Sequence, residues 1–90
     1  MFSADAAFSF NGNTFVVYRA DLGEGLPLHD HTFNHITIVL EGEIEVSDGA
    51  AVSVVLNARN GPIEYRAGRK HAITAKQDGT RFMNVSPTVG

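Results

Sequence analysis

The stretch HITIVLEGEIEVSDG, residues 35–49, decides the fold of this 90-residue chain. In its second half, Ile44 and Val46 alternate with polar residues, so one face of an extended strand is apolar and the other is polar. Turn signals lie on both sides of this strand, Glu41-Gly42 before it and Asp48-Gly49 after it. Glycine at these places favours the positive φ that tight hairpin turns need. The stretch therefore predicts half-buried antiparallel strands joined by short turns.

The same pattern extends through most of the chain. Runs rich in β-branched and aromatic residues recur between turn signals such as Asn11-Gly12 and Asp78-Gly79. We expect strands in TFVVYRAD, GLPLHDH, FNHITIVL, EIEVS, AVSVVLNA, PIEYRAG, HAITAK and TRFMNVS. The first dozen residues are expected to form an edge strand or a loosely held segment. Short connections imply hairpins, so residues 1–90 are predicted to form a single all-β domain in which an antiparallel sheet folds on itself.

Composition limits the size of the domain and its partners. A domain of this size buries a modest share of its surface and usually needs a disulfide, a metal or a partner subunit. The chain has no cysteine, which excludes disulfides and thiolate metal sites. The net charge is −3 and the basic residues are scattered, apart from Arg69-Lys70, so no nucleic-acid partner is expected. No apolar run is long enough for a membrane span, and no basic segment typical of a secretory signal opens the sequence, so we expect a cytoplasmic protein.

Three of the four histidines fall within one short segment, as His29, His31 and His35. Residues two apart in a strand point to the same face, so His29 and His31 are expected to project together. His35 joins them by keeping the same parity or after a turn at residues 32–34. The fourth, His71, begins a predicted strand whose inward residues would line the same interior. Neutral imidazole is a common ligand for transition metals, so the spacing favours a metal site over an incidental surface patch.

Two parts of the sequence resemble the cupin family. HDHTFNHITIVLEGEIEV resembles the first cupin motif, G-x5-H-x-H-x3,4-E-x6-G, which would span about residues 23–42. RAGRKHAI resembles the second, G-x5-P-x-G-x2-H-x3-N, within about residues 61–75. The resemblance implies a small cupin of the cupin-2 type, an antiparallel jelly-roll β-barrel that holds one divalent transition metal (Fe, Mn, Ni, Zn or Cu). All four histidines fall on the ligand positions of the family, namely His29, His31, His35 and His71.

The chain departs from these motifs in several places. His35 stands where the family usually has glutamate, which gives an all-histidine ligand set. Arg66 and Ala75 replace the proline and the terminal asparagine of the second motif. The opening glycine of the first motif is displaced, with Gly23 at the expected spacing and Gly25 nearby. The change at His35 bears on chemistry, and the others bear mainly on loop geometry.

Four neutral ligands would leave the charge of a divalent ion uncompensated, which favours an anionic small-molecule ligand. A closed tetrahedral set is typical of structural zinc, whereas an octahedral ion keeps two open positions. The main hypothesis is a metalloenzyme that acts on a small organic metabolite by oxygenase-, isomerase- or hydrolase-type chemistry. The alternatives are a non-catalytic, metal-anchored binding or sensing module and a barrel with a purely structural metal.

No general base stands out in the sequence. The polar groups on predicted strands that remain as candidates are Tyr18, Glu41, Glu64, Tyr65 and Asn84. The sequence does not show which of them face inward. Phe33, which lies between ligand positions, is a candidate wall of the pocket.

A homodimer is also expected. A barrel of this size leaves strand edges and apolar surface that need covering, and the resemblance to small cupins points the same way. The apolar residues Phe2, Phe8 and Phe10 are candidates for the interface.

Overall fold

The computed structural model describes residues 1–50 and 53–88. These residues form nine strands and no helix, which confirms the predicted all-β class. The strands are β1 (Ser3–Phe10), β2 (Asn13–Ala20), β3 (Gly25–His29), β4 (His35–Glu41), β5 (Glu43–Ser47), β6 (Ser53–Asn57), β7 (Ile63–Tyr65), β8 (His71–Ala75) and β9 (Thr80–Pro87). A helix that could cross a membrane is therefore absent from the described residues.

The strands form two antiparallel sheets that pack face to face as a jelly-roll barrel. One sheet has five strands in the order β1-β2-β9-β4-β7, and the other has four in the order β3-β8-β5-β6. The inner faces bury the core, in which Ile44, Ile73 and Phe82 have at most 1% of their surface exposed. The first residues of the chain form an edge strand, since β1 pairs only with β2 in its sheet.

The stretch that predicted the fold behaves largely as expected. Ile44 and Val46 are buried in β5, and the polar residues that alternate with them, Glu43, Glu45 and Ser47, are half-buried. The hairpin that follows is longer than a two-residue turn, because the last pair before the connection joins Ser47 to Ser53. Ser47 and Asp48 accept hydrogen bonds from nearby backbone N–H groups, and these bonds hold the start of the connection. The start of the predicted strand AVSVVLNA, residues 51 and 52, lies outside the described residues.

Strand register divides the five-stranded sheet into an inner and an outer face. Residues directly opposite each other in an antiparallel pair share a face. The inner face contains the pairs Thr37–Asn84 and Val39–Phe82, and Thr37 and Phe82 are fully buried. The intervening pairs, Ile36–Val85 and Ile38–Met83, therefore lie on the outer face. The outer face of this sheet is thus apolar in its centre, although solvent-facing strand positions are commonly polar.

The backbone of β3 lies very close to β8. Gly25 pairs with Thr74, and a Cβ atom added at Gly25 would overlap the carbonyl group of Ile73. Only glycine permits this approach without moving the strands apart. Four residues later, β3 ends at His29, directly opposite His71. The close approach at Gly25 therefore helps to set the distance between two histidines.

Gly25→Ala is expected to destabilise the protein by about 2–3 kcal/mol, since the added methyl group meets backbone rather than a flexible side chain. Gly12→Ala is the matched control, because Gly12 has positive φ but no neighbour within 4 Å of an added Cβ. That change is expected to cost only about 1 kcal/mol. Urea denaturation of both variants measures the difference. Equal destabilisation would show that the β3–β8 approach imposes no special constraint.

Candidate metal centre

Strand pairing and one bend bring the four histidines together. His29 ends β3 opposite His71, which begins β8 and is buried. The chain bends at Thr32-Phe33, so β4 starts afresh at the buried His35. The sequence allowed His35 to join the other histidines either along an extended chain or after a turn at residues 32–34, and the structure has the turn. His31 lies just before this bend, outside the strands.

The four imidazole rings form one cluster. The ring centroids of His29 and His71 are 4.5 Å apart, and that of His31 lies 4.7 Å from His29 and 4.6 Å from His35. His29, His31 and His71 each place one ligand nitrogen within 4.8 Å of the others. His35 is not part of that group of three, but its Nε2 atom lies 2.9 Å from Nε2 of His71.

Backbone carbonyl groups orient two of the rings. Nδ1 of His29 lies 2.5 Å from the carbonyl oxygen of Pro27, and Nδ1 of His71 lies 3.1 Å from that of Arg69. A carbonyl oxygen only accepts hydrogen bonds, so each Nδ1 carries the ring proton and donates a hydrogen bond to it. Nε2 is then the unprotonated nitrogen of each neutral ring. Metal-ligating histidines are commonly oriented in this way, so the donor set fits a transition metal.

The environment keeps three of the imidazoles neutral. Burial, followed by the nearby charges of His71, His31 and His29, lowers the pKa of His35 to about 4. Burial is also the main cause that lowers the pKa of His31 and of His71. Asp30, an exposed carboxylate, opposes the shift at both of these residues. Near pH 7 these rings therefore have the neutral form that metal binding requires.

Hydrogen bonds join the two loops that carry the motifs. The backbone N–H of Gly68 donates to the carbonyl of His31 at 2.7 Å, and that of Ala67 donates to Oδ1 of Asn34 at 2.7 Å. These bonds hold the segment before His71 against the segment between His31 and His35. Asn34 is not among the site residues predicted from the sequence. Its place in a predicted turn was the available signal, because Asn side chains often bond to backbone groups there.

A cavity of about 210 Å³ adjoins the cluster. Its walls are formed by Val16, Tyr18, Leu26, His29, His31, Phe33, His35, Asn84 and Ser86. Phe33 stacks on His31 with ring centroids 4.9 Å apart, so it forms a wall of the pocket as expected. On the inner face of the five-stranded sheet, the Thr37 hydroxyl donates to Oδ1 of Asn84 at 2.6 Å. The Asn84 amide N–H groups are thus free to donate to other partners.

The other candidates from the sequence lie in different places. Tyr18 and Asn84 line the cavity. Glu41 is exposed near Arg81, and Glu64 is exposed opposite Ile36 of the outer face, so neither carboxylate lines the cavity.

Tyr65 packs behind the histidines rather than in this cavity. Its ring is stacked on His71 with centroids 4.0 Å apart, and its hydroxyl is buried without a hydrogen-bond partner among the described residues. Burial raises the pKa of Tyr65 to about 12. Tyr65 is therefore protonated at neutral pH and is a poor general base.

Comparison with solved structures identifies the fold. An RmlC-like cupin protein from Desulfovibrio desulfuricans is 20% identical, with a TM-score of 0.78 over 98% of this chain and 84% of that one. A Klebsiella pneumoniae protein with a double-stranded β-helix domain is 22% identical, with a TM-score of 0.80 over 96% and 71%. Oxalate decarboxylase from Bacillus subtilis is 20% identical, with a TM-score of 0.71 over 84% of this chain and 21% of that one.

No family model matches the sequence, and no curated protein matches it. The structural likenesses confirm the cupin fold that the two motifs imply.

The neutral histidine cluster predicts a pH-dependent stability of the metal-free protein. The pKa of His35 falls from 6.5 in the unfolded chain to about 4 in the fold, so the unfolded state binds the extra proton between these values. The free energy of unfolding is therefore fully present above pH 6.5 and should fall by about 1–3 kcal/mol as pH drops toward 4. Urea denaturation of chelator-treated protein at pH 7 and pH 5 measures this loss.

The matched variant is His35→Gln, which is polar and does not titrate. Its stability should change less between these two pH values than that of the parent, because only His31 and His71 remain as histidines with a lowered pKa. If the variant and the parent lose stability equally, His35 is not buried in its neutral form.

Proposed function

We propose that this chain, which has the fold of the cupin superfamily, is a metal-dependent enzyme that acts on a small anionic organic molecule. His29, His31, His35 and His71 hold one divalent transition metal, and the substrate binds beside it in the 210 Å³ cavity. The observation that carries the proposal is the convergence of four imidazoles, three of which line a cavity large enough for a small molecule. A purely structural metal would need no such space, so this alternative is less well supported.

The separation of two nitrogens supports a ligand role for His35. Two nitrogens bound at right angles to one ion, each at about 2.1 Å, would lie about 3.0 Å apart. The Nε2 atoms of His35 and His71 are 2.9 Å apart, close to that value. In a tetrahedral arrangement the same bonds would put them about 3.4 Å apart. The two atoms are therefore close enough to bind one ion, and a six-coordinate ion with four protein ligands would leave two positions for a substrate.

Electrostatics and donors in the cavity favour an anion. A divalent ion held by neutral imidazoles supplies its full charge and acts as a Lewis acid. Asn84, whose carbonyl oxygen is held by Thr37, directs its N–H donors to an oxygen of the substrate, and Ser86 adds a hydroxyl. With about 30 Å³ for each water-sized group, 210 Å³ holds about seven of them. A carboxylate with a few carbon atoms fits these limits.

Proton transfer limits the reaction classes. The described cavity wall contains no carboxylate, so reactions that need a carboxylate base are disfavoured. Tyr18 and Ser86 are the hydroxyl groups available in that wall. A protein of similar structure is named oxalate decarboxylase, so the same fold occurs in a protein named for a small dicarboxylate. The same scarcity of acid–base groups is the observation that favours the second candidate function, a metal-anchored binding module without catalysis.

The protein is expected to bind one equivalent of a divalent metal. His71→Ala should weaken metal binding about 100-fold or more, because it removes one ligand and the nitrogen next to His35. Tyr65→Phe is the control, since it removes a hydroxyl that bonds to none of the described residues. Competition with a chelating dye measures the affinities, and the absorption spectrum of the cobalt-loaded protein reports the number of ligands. Unchanged affinity in the His71 variant would contradict the four-ligand site.

The same cobalt-loaded protein distinguishes the three functions. Addition of oxalate or malonate should change the cobalt spectrum, and Asn84→Ala should weaken this response about tenfold, as expected for a lost charge-assisted hydrogen bond. Turnover of a small carboxylate, followed by NMR, would identify an enzyme, whereas binding without turnover would leave the binding module. A spectrum typical of a closed tetrahedral site that no anion changes would leave only a structural metal.

We further propose that two copies of the chain pair through the outer face of the five-stranded sheet. Two cross-strand rows form an apolar centre there, Phe15–Val85–Ile36 and Val17–Met83–Ile38. Phe8 extends the first row by stacking on Phe15 with centroids 5.0 Å apart, and it is 52% exposed. A contiguous apolar face of this kind is typical of an interface, and a second copy offers the same surface.

Light scattering is expected to give twice the monomer mass of 9.7 kDa at micromolar concentration. Ile38→Lys, in the centre of the outer face, should shift the protein toward the monomer because it places charge in the interface. Leu22→Ser is the control, since Leu22 is 62% exposed and lies in the connection after β2. A parent protein that remains a monomer would remove this proposal.

A further inference from the structure

A second cavity, of about 230 Å³, borders His71 and Tyr65 but not the other histidines. We propose that it binds a small monocarboxylate with a compact apolar body, at a site separate from the metal cavity. The proposal does not depend on a metal or on the proposed enzymatic function.

The inner wall of this cavity is apolar. Val46 and Tyr65 are buried at its base, and Ile63 and Val54 form its sides. Val54 lies directly opposite Val46 in the β5–β6 pair, yet 40% of its surface is exposed. Apolar surface left open in a concave wall favours an apolar ligand group.

The rim of the cavity is cationic. Arg66, Arg69 and Lys70 line it, and none of them forms a salt bridge in the part of the chain that the structure describes. By contrast, Arg19 and Arg81 both lie near Asp5. In a chain with a net charge of −3, this concentration of three unpaired cations is a local excess. Cations at the mouth of an apolar cavity favour an anion with an apolar body.

Two acidic residues, Asp48 and Glu64, also border this cavity, but neither forms a salt bridge with its cations in the described residues. Asp48 accepts a hydrogen bond from the N–H of Ala50 at 2.9 Å. Glu64 pairs with Ile36 and so projects from the outer face of its sheet. Neither carboxylate is paired with the three cations, which remain available for a ligand.

The cationic loop is held in place before any ligand binds. Its N–H groups at Ala67 and Gly68 donate to the His31–Asn34 segment, and the N–H of Arg69 donates to the carbonyl of Arg66 at 3.1 Å. A preformed loop loses little further freedom on binding, which favours a specific site over a loose surface association.

Benzoate is a suitable probe, because it joins one carboxylate to a flat apolar ring. It should bind both chelator-treated and zinc-loaded protein, with NMR shifts at Val46 and Val54 rather than at Ser86. Arg69→Gln combined with Lys70→Gln should weaken binding at least tenfold. Arg59→Gln combined with Lys76→Gln removes the same charge from exposed residues outside the cavity and should change binding less than twofold. Benzyl alcohol, which is uncharged, should bind at least tenfold more weakly than benzoate.

Three results would overturn the proposal. Equal loss in the two double variants would mean that the charge attracts benzoate without a site. Binding that requires zinc and shifts Ser86 would place benzoate in the metal cavity, which would support the proposed function instead. No shift at about 10 mM benzoate would mean that the cavity does not bind such anions at a useful affinity.

Discussion

The pairing of β3 with β8 is the constraint on which the site depends. It joins the two motif regions of the sequence and sets His29 directly opposite His71. Gly25 permits the close approach of these strands, because any side chain there would overlap the backbone at Ile73. The alternation in β8 then buries His71 on the inner face while Ile73 and Ala75 enter the core. The same strand thus supplies core residues and sets the position of His71, a candidate metal ligand.

A second constraint is electrostatic. Four imidazoles within contact distance are tolerable only while most of them are neutral, and burial enforces this at His35, His31 and His71. The hydrogen bonds also determine which ring nitrogen carries the proton in His35 and in His71. Since His71 donates from Nδ1 to Arg69, its Nε2 atom accepts from Nε2 of His35 in the metal-free state. A metal that binds both Nε2 atoms has to shift the proton of His35 to Nδ1.

Local pattern predicted the elements well, and it predicted distant contacts poorly. The alternation of EIEVS and HAITA required only knowledge of neighbouring residues, and both strands bury the residues expected. The convergence of the histidines was predicted because the resemblance to cupins supplied long-range information. By contrast, the contact from Asn34 to Ala67 joins two residues that are 33 positions apart in the sequence, and the contact from Thr37 to Asn84 joins two that are 47 positions apart. Nothing in either local sequence specifies such a partner, so these contacts required the structure.

His71 and Tyr65 give the barrel interior two different sides. On one side, the described wall of the 210 Å³ cavity contains the neutral imidazoles of His31 and His35 and no lysine, arginine or carboxylate, so attraction for an anion there depends on a metal. On the other, Arg66, Arg69 and Lys70 provide charge to the 230 Å³ cavity without a metal. The stacked rings of His71 and Tyr65 stand between these two environments. Because His71 also binds the carbonyl of Arg69, any ligand that moves the cationic loop would act on the orientation of a metal-ligand candidate.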